Sequence, residues 1–212
     1  SLGFPLCSAC FSRIEYLRSP LCVKCGRSLN NSSALLCHRC RAFPFHFDAA
    51  RAVALYTSPL RDCIHAFKYQ GFISFRYLFG ELLCEYLEKN PFLKEVDCLL
   101  PVPLHPTRLK ERGFNQSLIL AEEIAKCFSL PLISKGVRRI KPTLPQVGLK
   151  VKERRKNVQG AFEIKEARLF QNKRILIVDD VLTSRSTVDS LSQTLKKGGT
   201  KEVLVLAIAS GK

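Results

Sequence analysis

The sequence predicts an α/β protein, a parallel sheet flanked by helices, with a small metal-stapled module at its N-terminus. Two observations carry this. Beyond residue 44, short apolar runs with β character alternate with longer helical runs, the pattern of a parallel sheet covered by helices. Before it, three Cys-x-x-Cys pairs recur at regular spacing in a segment too short to bury a core of its own. The chain of 212 residues, 46% hydrophobic and 25% charged, has globular composition and room for one domain plus a small module. No apolar run is long enough to cross a bilayer, and no signal-peptide pattern opens the chain, so a cytoplasmic location is expected. Methionine is absent, and the chain is expected to begin after a lost Met or at a trimmed end.

The N-terminal pairs are Cys7/Cys10, Cys22/Cys25 and Cys37/Cys40, with eleven residues between each pair and the next. In a reducing compartment ten cysteines are not a disulfide framework. A two-residue gap lets both thiolates of a knuckle reach one ion, and a second knuckle completes a tetrahedral shell. Cys22, Cys25, Cys37 and Cys40 are the expected zinc ligands. Gly26 directly follows Cys25, where a knuckle needs positive φ. Cys7 and Cys10 are then half of a second site, or free thiols; spacing also permits their pairing with Cys22 and Cys25. A closed thiolate shell leaves no open coordination position, so the zinc is expected to be structural. Cys63, Cys84, Cys98 and Cys127 stand alone in apolar or helical contexts and are expected to be small buried hydrophobes.

After the ribbon, Phe43-Pro44-Phe45-His46-Phe47 reads as a connection or a first packing edge. Strands are expected over Ala52–Tyr56 and Asp97–Val102, and helices over Leu60–Tyr69, Phe75–Glu88 and Ser117–Phe128. In the last, Ala121, Ile124, Ala125 and Phe128 share one face at helical spacing. Pro131–Val137 is a further candidate strand. Arg174–Val178 and Val203–Ala209 are continuous apolar runs, as in strands buried on both faces. The polar stretch from Ile140 to Gly160 is long for a connection and reads as a functional lid.

Thirty-four Lys/Arg against 18 Asp/Glu give a net charge of +16, which attracts polyanions such as nucleic acid, a phosphorylated small molecule or an anionic membrane. Residues 135–156 hold nine Lys/Arg and one acid, half of the excess. A solvated basic loop is the plain alternative to phosphate contact there.

A second, independent phosphate signal is ILIVDDVLTSRST, residues 175–187. A buried strand ends in Asp179-Asp180, and Thr183, Ser184, Ser186 and Thr187 lead into a helix. Ligands of open α/β sheets bind at the carboxyl ends of strands, and hydroxyls with N–H groups opening a helix suit an anion. Carboxylates beside a phosphate cradle suit sugar hydroxyls, or magnesium through water. The combination describes a sugar phosphate. An acidic strand end followed by an ordinary cap is the alternative. A receiver domain does not fit, because only residues 181–212 follow Asp180, and no Gly-x-Gly-x-x-Gly or Walker A loop is present.

This stretch resembles the phosphoribosyl pyrophosphate (PRPP) signature of type I phosphoribosyltransferases. The resemblance implies that Asp179 and Asp180 hold ribose and that Thr183, Ser184, Arg185, Ser186 and Thr187 hold the 5′-phosphate. That family usually has Gly where this chain has Arg185. An arginine at positive φ strains the loop by roughly 1 kcal/mol, and its side chain is expected either to clasp the phosphate or to obstruct the pocket. Purine-specific members often carry an Asp where Thr183 stands, so no carboxylate base is evident and the catalytic residues are unknown.

Asp97-Cys-Leu-Leu-Pro-Val-Pro-Leu-His-Pro with Arg112-Gly-Phe-Asn-Gln116 resembles the central block of the ComF family (ComFC/GntX-like proteins). Phe67-Lys68-Tyr69-Gln70-Gly71 resembles its earlier Lys-Tyr motif, and Gln146, Arg154, Asn157, Gly160 and Phe162 its loop. The cysteine pairs resemble its N-terminal double zinc ribbon, which usually has one more pair upstream. The resemblance spans nearly the whole chain. It implies a zinc ribbon over 1–44 and a type I phosphoribosyltransferase fold over 45–212. Lys68, Arg108 and Arg112 are placed against pyrophosphate, with Lys110 and His105 nearby, Mg²⁺ accompanies PRPP, and 140–158 form a hood. A role in DNA uptake is implied, with PRPP, single-stranded DNA and other competence proteins as partners. Phe11, Tyr16, Phe43, Phe45 and Phe47 are candidates for base stacking, with core packing as the alternative. An active phosphoribosyltransferase with an unidentified nitrogenous acceptor is the second reading, and a purely regulatory PRPP sensor a third.

Overall fold

The computed structural model describes residues 6–31, 33–142 and 158–211. Its centre is a four-stranded sheet of β1 (Ala49–Leu55), β2 (Cys98–Pro101), β5 (Arg174–Leu182) and β6 (Glu202–Ser210), in the order β1-β6-β5-β2. Every pairing is parallel. The apolar runs of β5 and β6 supply the two central strands, and their residues divide by parity between two cores. Leu176 and Val178 of β5 and Leu204, Leu206 and Ile208 of β6 join one core. Ile175 and Ile177, with Val203, Val205 and Ala207, join the other.

The first core is closed by α3 (Leu60–Tyr69), α4 (Phe75–Glu88), the single turn α5 (Pro91–Lys94) and α7 (Gln116–Phe128). Ala121 and Ile124 are buried, and Ala125 and Phe128 pack against them, as the helical spacing predicts. The second core holds Val188, Leu191 and Leu195 of α8 (Ser186–Lys197) together with Cys22, Cys25 and Cys40. The cysteine module, with its short helices α1 (Ser8–Phe11) and α2 (His38–Ala42), therefore shares a sheet face with α8. A small antiparallel pair, β3 (Val137–Arg139) and β4 (Phe162–Ile164), lies on the same side.

Both edges of the sheet are covered, which removes open templates for pairing. Leu17 donates its N–H to Val53, and Glu15 accepts from Leu55. Leu99 and Leu132 form a single parallel bridge at the other edge. The expected strand over Pro131–Val137 is thus split. Leu132 joins the main sheet at one residue, and Val137 begins β3, because Gly136 lies against the ring of Phe170, which is part of the second core.

One side-chain expectation is corrected. Cys63, Cys84 and Cys98 are buried, but Cys127 is exposed, near the end of α7 beyond the face that packs. Phe45 and Phe47 are buried and stacked at 4.8 Å, so they belong to the core, whereas Phe11, Tyr16 and Phe43 are exposed. No helix among the described residues is long and apolar enough to cross a membrane.

Candidate functional site

The carboxyl ends of β1, β2 and β5 open onto a cavity of about 380 Å³, the location where parallel α/β sheets bind ligands. Tyr56 follows β1, Val102, Leu104 and His105 follow β2, and Asp179 to Thr183 belong to the end of β5 and the turn after it. Lys68 and Tyr69 from the last turn of α3, Arg108 and Arg112 from α6 (Pro106–Arg112), and Arg139 from β3 complete the wall.

The acids stand inside the strand. Asp179 and Asp180 are 8% and 5% exposed. Asp179 Oδ1 accepts from Ser117 Oγ at 3.1 Å and from the Asp180 N–H at 2.9 Å. Asp180 Oδ1 accepts from the Val181 N–H at 2.8 Å, and its other oxygen forms an ion pair with Lys68. Burial raises the Asp179 carboxyl to about 6, against the lowering influence of Lys68, the Ser117 hydrogen bond, Arg139 and Arg112. Burial lowers the Lys68 ammonium to about 8, although Asp179 opposes the shift. Burial also lowers Arg112 and Arg139. The cavity wall therefore carries two buried carboxylates facing several partly desolvated cations. Such cations attract an anionic ligand more strongly than they would in open water.

Each cation is held by local structure. The His105 ring accepts from the Thr107 N–H and caps α6, whose C-terminus ends on Gly113 at φ 81°. Arg112 donates to Gln116 at 2.5 Å and lies over the Tyr69 ring, 5.1 Å from its centroid. Asn115 fixes the next corner. Its side chain accepts from the Ser117 N–H and donates to the Val102 carbonyl. The Arg-Gly-Phe-Asn-Gln stretch is thus the device that turns α6 into α7 under the cavity. Lys110 is exposed and outside the wall.

Beyond β5, Thr183, Arg185 and Thr187 line the cavity. Ser184 and Ser186 are buried behind it, with Ser184 Oγ donating to Ser186 Oγ and accepting the Ser186 N–H. Arg185 is the N-cap of α8 in the left-handed region, at φ 66°. Its guanidinium is tied to protein acceptors. The side chain is buried, and its three nitrogens donate to the carbonyls of Cys25 (3.2 Å) and Thr183 (2.8 Å) and to Ser210 Oγ (2.8 Å). Those contacts offset the strain of the backbone, and Arg185 still forms part of the cavity wall.

Sequence reasoning did not single out Arg139, Tyr56 or Ser117. Arg139 lies in the basic tract, but only the β3–β4 pairing turns it toward Asp179. Ser117 had no signal beyond its place after the Asn-Gln pair. Of the proposed hood, Ile140 donates its N–H to the Ala161 carbonyl and Lys141 its ammonium to the Gln159 carbonyl, so the flanks are held together. Gln146, Arg154 and Asn157 lie outside the described residues.

The second site is the cysteine cluster. The Sγ atoms of Cys22, Cys25, Cys37 and Cys40 all lie within 4.8 Å of one another, with Cys25 and Cys37 at 3.6 Å. A tetrahedral zinc–thiolate shell has an S–S edge of about 3.8 Å, so the four residues fit such an ion. Burial raises the Cys22 thiol, but N–H groups around its sulfur, led by that of Cys25, outweigh this and bring it to about 6, favouring a ligating thiolate. Gly26, at φ 70°, has room for no side chain, since a Cβ would lie 2.4 Å from the Ala50 carbonyl oxygen. Among the described residues no third ligand joins Cys7 and Cys10.

No protein-family model matches the chain. It is 32% identical over 210 residues to competence protein F of Haemophilus influenzae, covering 96% of this chain and 90% of that protein. It is 31% identical over 203 residues to the DNA utilization protein YhgH of Escherichia coli K12, covering 94% and 88%. Competence protein ComFC of Streptococcus pneumoniae is 27% identical over 205 residues, covering 96% and 86%. Among solved structures, a purine phosphoribosyltransferase from Pyrococcus horikoshii superposes with a TM-score of 0.39 at 20% identity, covering 64% of this chain and 72% of that one.

Proposed function

The chain belongs to the competence protein F (ComF) family, and from that premise we propose that it acts in DNA uptake, binding PRPP in the cavity and single-stranded DNA on its basic surface. The observation that carries the PRPP reading is the buried pair Asp179 and Asp180 facing Lys68, Arg112 and Arg139 across one opening at the strand ends. The carboxylates suit the ribose diol, with Mg²⁺ through water. The N–H groups and hydroxyls of Thr183 and Thr187 suit the 5′-phosphate, and Lys68, Arg108 and Arg112 suit pyrophosphate. Residues 1–44 act as the zinc ribbon and 45–212 as the phosphoribosyltransferase-like domain, in the cytoplasm. Calorimetry with PRPP and Mg²⁺ tests the site. Asp179→Asn with Asp180→Asn is expected to weaken binding at least a hundredfold, and unchanged affinity rejects it.

The DNA reading rests on the net charge of +16, on the names of the relatives, and on exposed aromatic rings. Tyr69, Phe72 and Tyr77 are 63%, 53% and 64% exposed, and exposed rings among basic residues suit base stacking. Binding of an oligothymidylate should weaken by roughly tenfold or more between 50 and 200 mM salt. Salt-independent or absent binding counts against it.

A second reading, transfer of the ribose 5-phosphate group, is favoured by a further cavity of about 190 Å³ that shares Lys68, Tyr69, Arg108 and Arg112 with the first. An acceptor nitrogen placed there would form a bond to C1′ of the ribose as the C1′–O bond breaks. Pyrophosphate would leave, and the nitrogen's proton would pass to solvent. Pyrophosphate release that depends on an added nitrogenous base separates this from binding alone.

A further inference from the structure

The guanidinium of Arg185 joins the two sites. Its Nε donates to the carbonyl of Cys25, one of the four clustered cysteines, and its Nη1 to the carbonyl of Thr183, at the start of the loop that opens α8. Its Nη2 is held by Ser210 at the end of β6. From the ribbon side, Arg27 donates to the same Thr183 carbonyl at 2.8 Å. Thr183 is therefore gripped by two arginines, one on the cysteine module and one tied to it. A left-handed residue at this turn is best supplied by glycine, so an arginine there is explained by what its side chain does.

We propose that Arg185 is a positioning residue that couples the cysteine ribbon to the anion-binding loop, so that loop affinity depends on the metal held by the ribbon. A metal ion fixes the carbonyl of Cys25 and, two residues on, the backbone of Arg27. Without it the ribbon has no closed shell to hold that geometry, the grip on Thr183 loosens, and the N–H groups of residues 183–187 lose their common aim. Linkage makes the effect reciprocal, so an anion on the loop retains the metal in the ribbon. The inference deepens the PRPP reading and rests on it for the identity of the anion.

The test uses the full-length chain, zinc-loaded and after chelation, as wild type and as the Arg27→Ala, Arg185→Gly double variant. Glycine keeps the left-handed turn while removing the clasp. In the wild type, chelation is expected to speed amide exchange across residues 183–187 and to weaken PRPP·Mg²⁺ binding, each at least tenfold. In the double variant both effects should shrink below threefold, and the zinc-loaded protein should bind PRPP like the chelated wild type. Phosphate should slow zinc release to a chromogenic chelator in the wild type only. Arg185→Lys, which cannot serve the three acceptors together, should behave as the double variant does if that variant folds poorly. Equal effects of chelation on wild type and variants, or no effect on exchange in either, overturn the proposal. If zinc-loaded wild type binds no PRPP while exchange at 183–187 still follows the metal, the PRPP reading fails and the coupling stands.

Discussion

Lys68, in the last turn of α3, forms a buried ion pair with Asp180, inside β5, and Asp179 lies next to them beneath the hydroxyl of Ser117. One cation thus stands against two adjacent carboxylates in a place with little water. Such a pair is costly to leave half-made.

Replacing Lys68 with alanine should destabilise the fold by roughly 3 kcal/mol at pH 7.5, because Asp180 loses its partner beside a second acid. Protonation relieves that repulsion, so the loss should be smaller at pH 5.5. Urea unfolding at the two pH values measures it, and an identical loss at both would mean that the pair is not electrostatically coupled.

The affinity for PRPP should be bell-shaped in pH. Asp179 accepts from sugar hydroxyls more strongly when ionised, so binding strengthens as pH rises through about 6. Lys68 loses its charge as pH rises through about 8, and binding weakens again. Lys68→Arg should flatten the alkaline limb, because a guanidinium stays charged. For stability the Asp179 contribution runs the other way. Its carboxyl is raised from 3.8, so the contribution is fully present below that value and is lost as pH rises through about 6. Calorimetric titration from pH 5 to 9 reads the limbs.

Purified protein should hold about one zinc per chain. Cys25→Ser should remove most of it, while a Cys7→Ser, Cys10→Ser variant should leave it unchanged, since no third ligand joins those two among the described residues. Loss of zinc in that variant would transfer Cys7 and Cys10 into the site.

Two glycines at positive φ should differ in sensitivity. Gly26→Ala meets the Ala50 carbonyl at 2.4 Å and should cost on the order of 2–4 kcal/mol. Gly113→Ala meets nothing within 4 Å and should cost about 1 kcal/mol, the left-handed penalty alone. Denaturation midpoints of the two variants decide this, and equal losses would remove the role given to the Gly26–Ala50 contact.

Much of this protein was legible in one dimension because its signals are local. The apolar runs of β5 and β6 announced buried parallel strands, the spacing of Cys22, Cys25, Cys37 and Cys40 announced a tetrahedral shell, and Asp179-Asp180 before a hydroxyl-rich turn announced a polar site near the strand's carboxyl end, although β5 runs on to Leu182. Position in space was not local. Which edge β2 occupies, how β3 and β4 turn Arg139 toward Asp179, and where Phe45 and Phe47 pack depend on contacts between distant segments. Arg185 shows the division most clearly. Its residue type revealed a strained turn, but only the docking of the cysteine module onto the sheet placed the Cys25 carbonyl where the guanidinium could reach it.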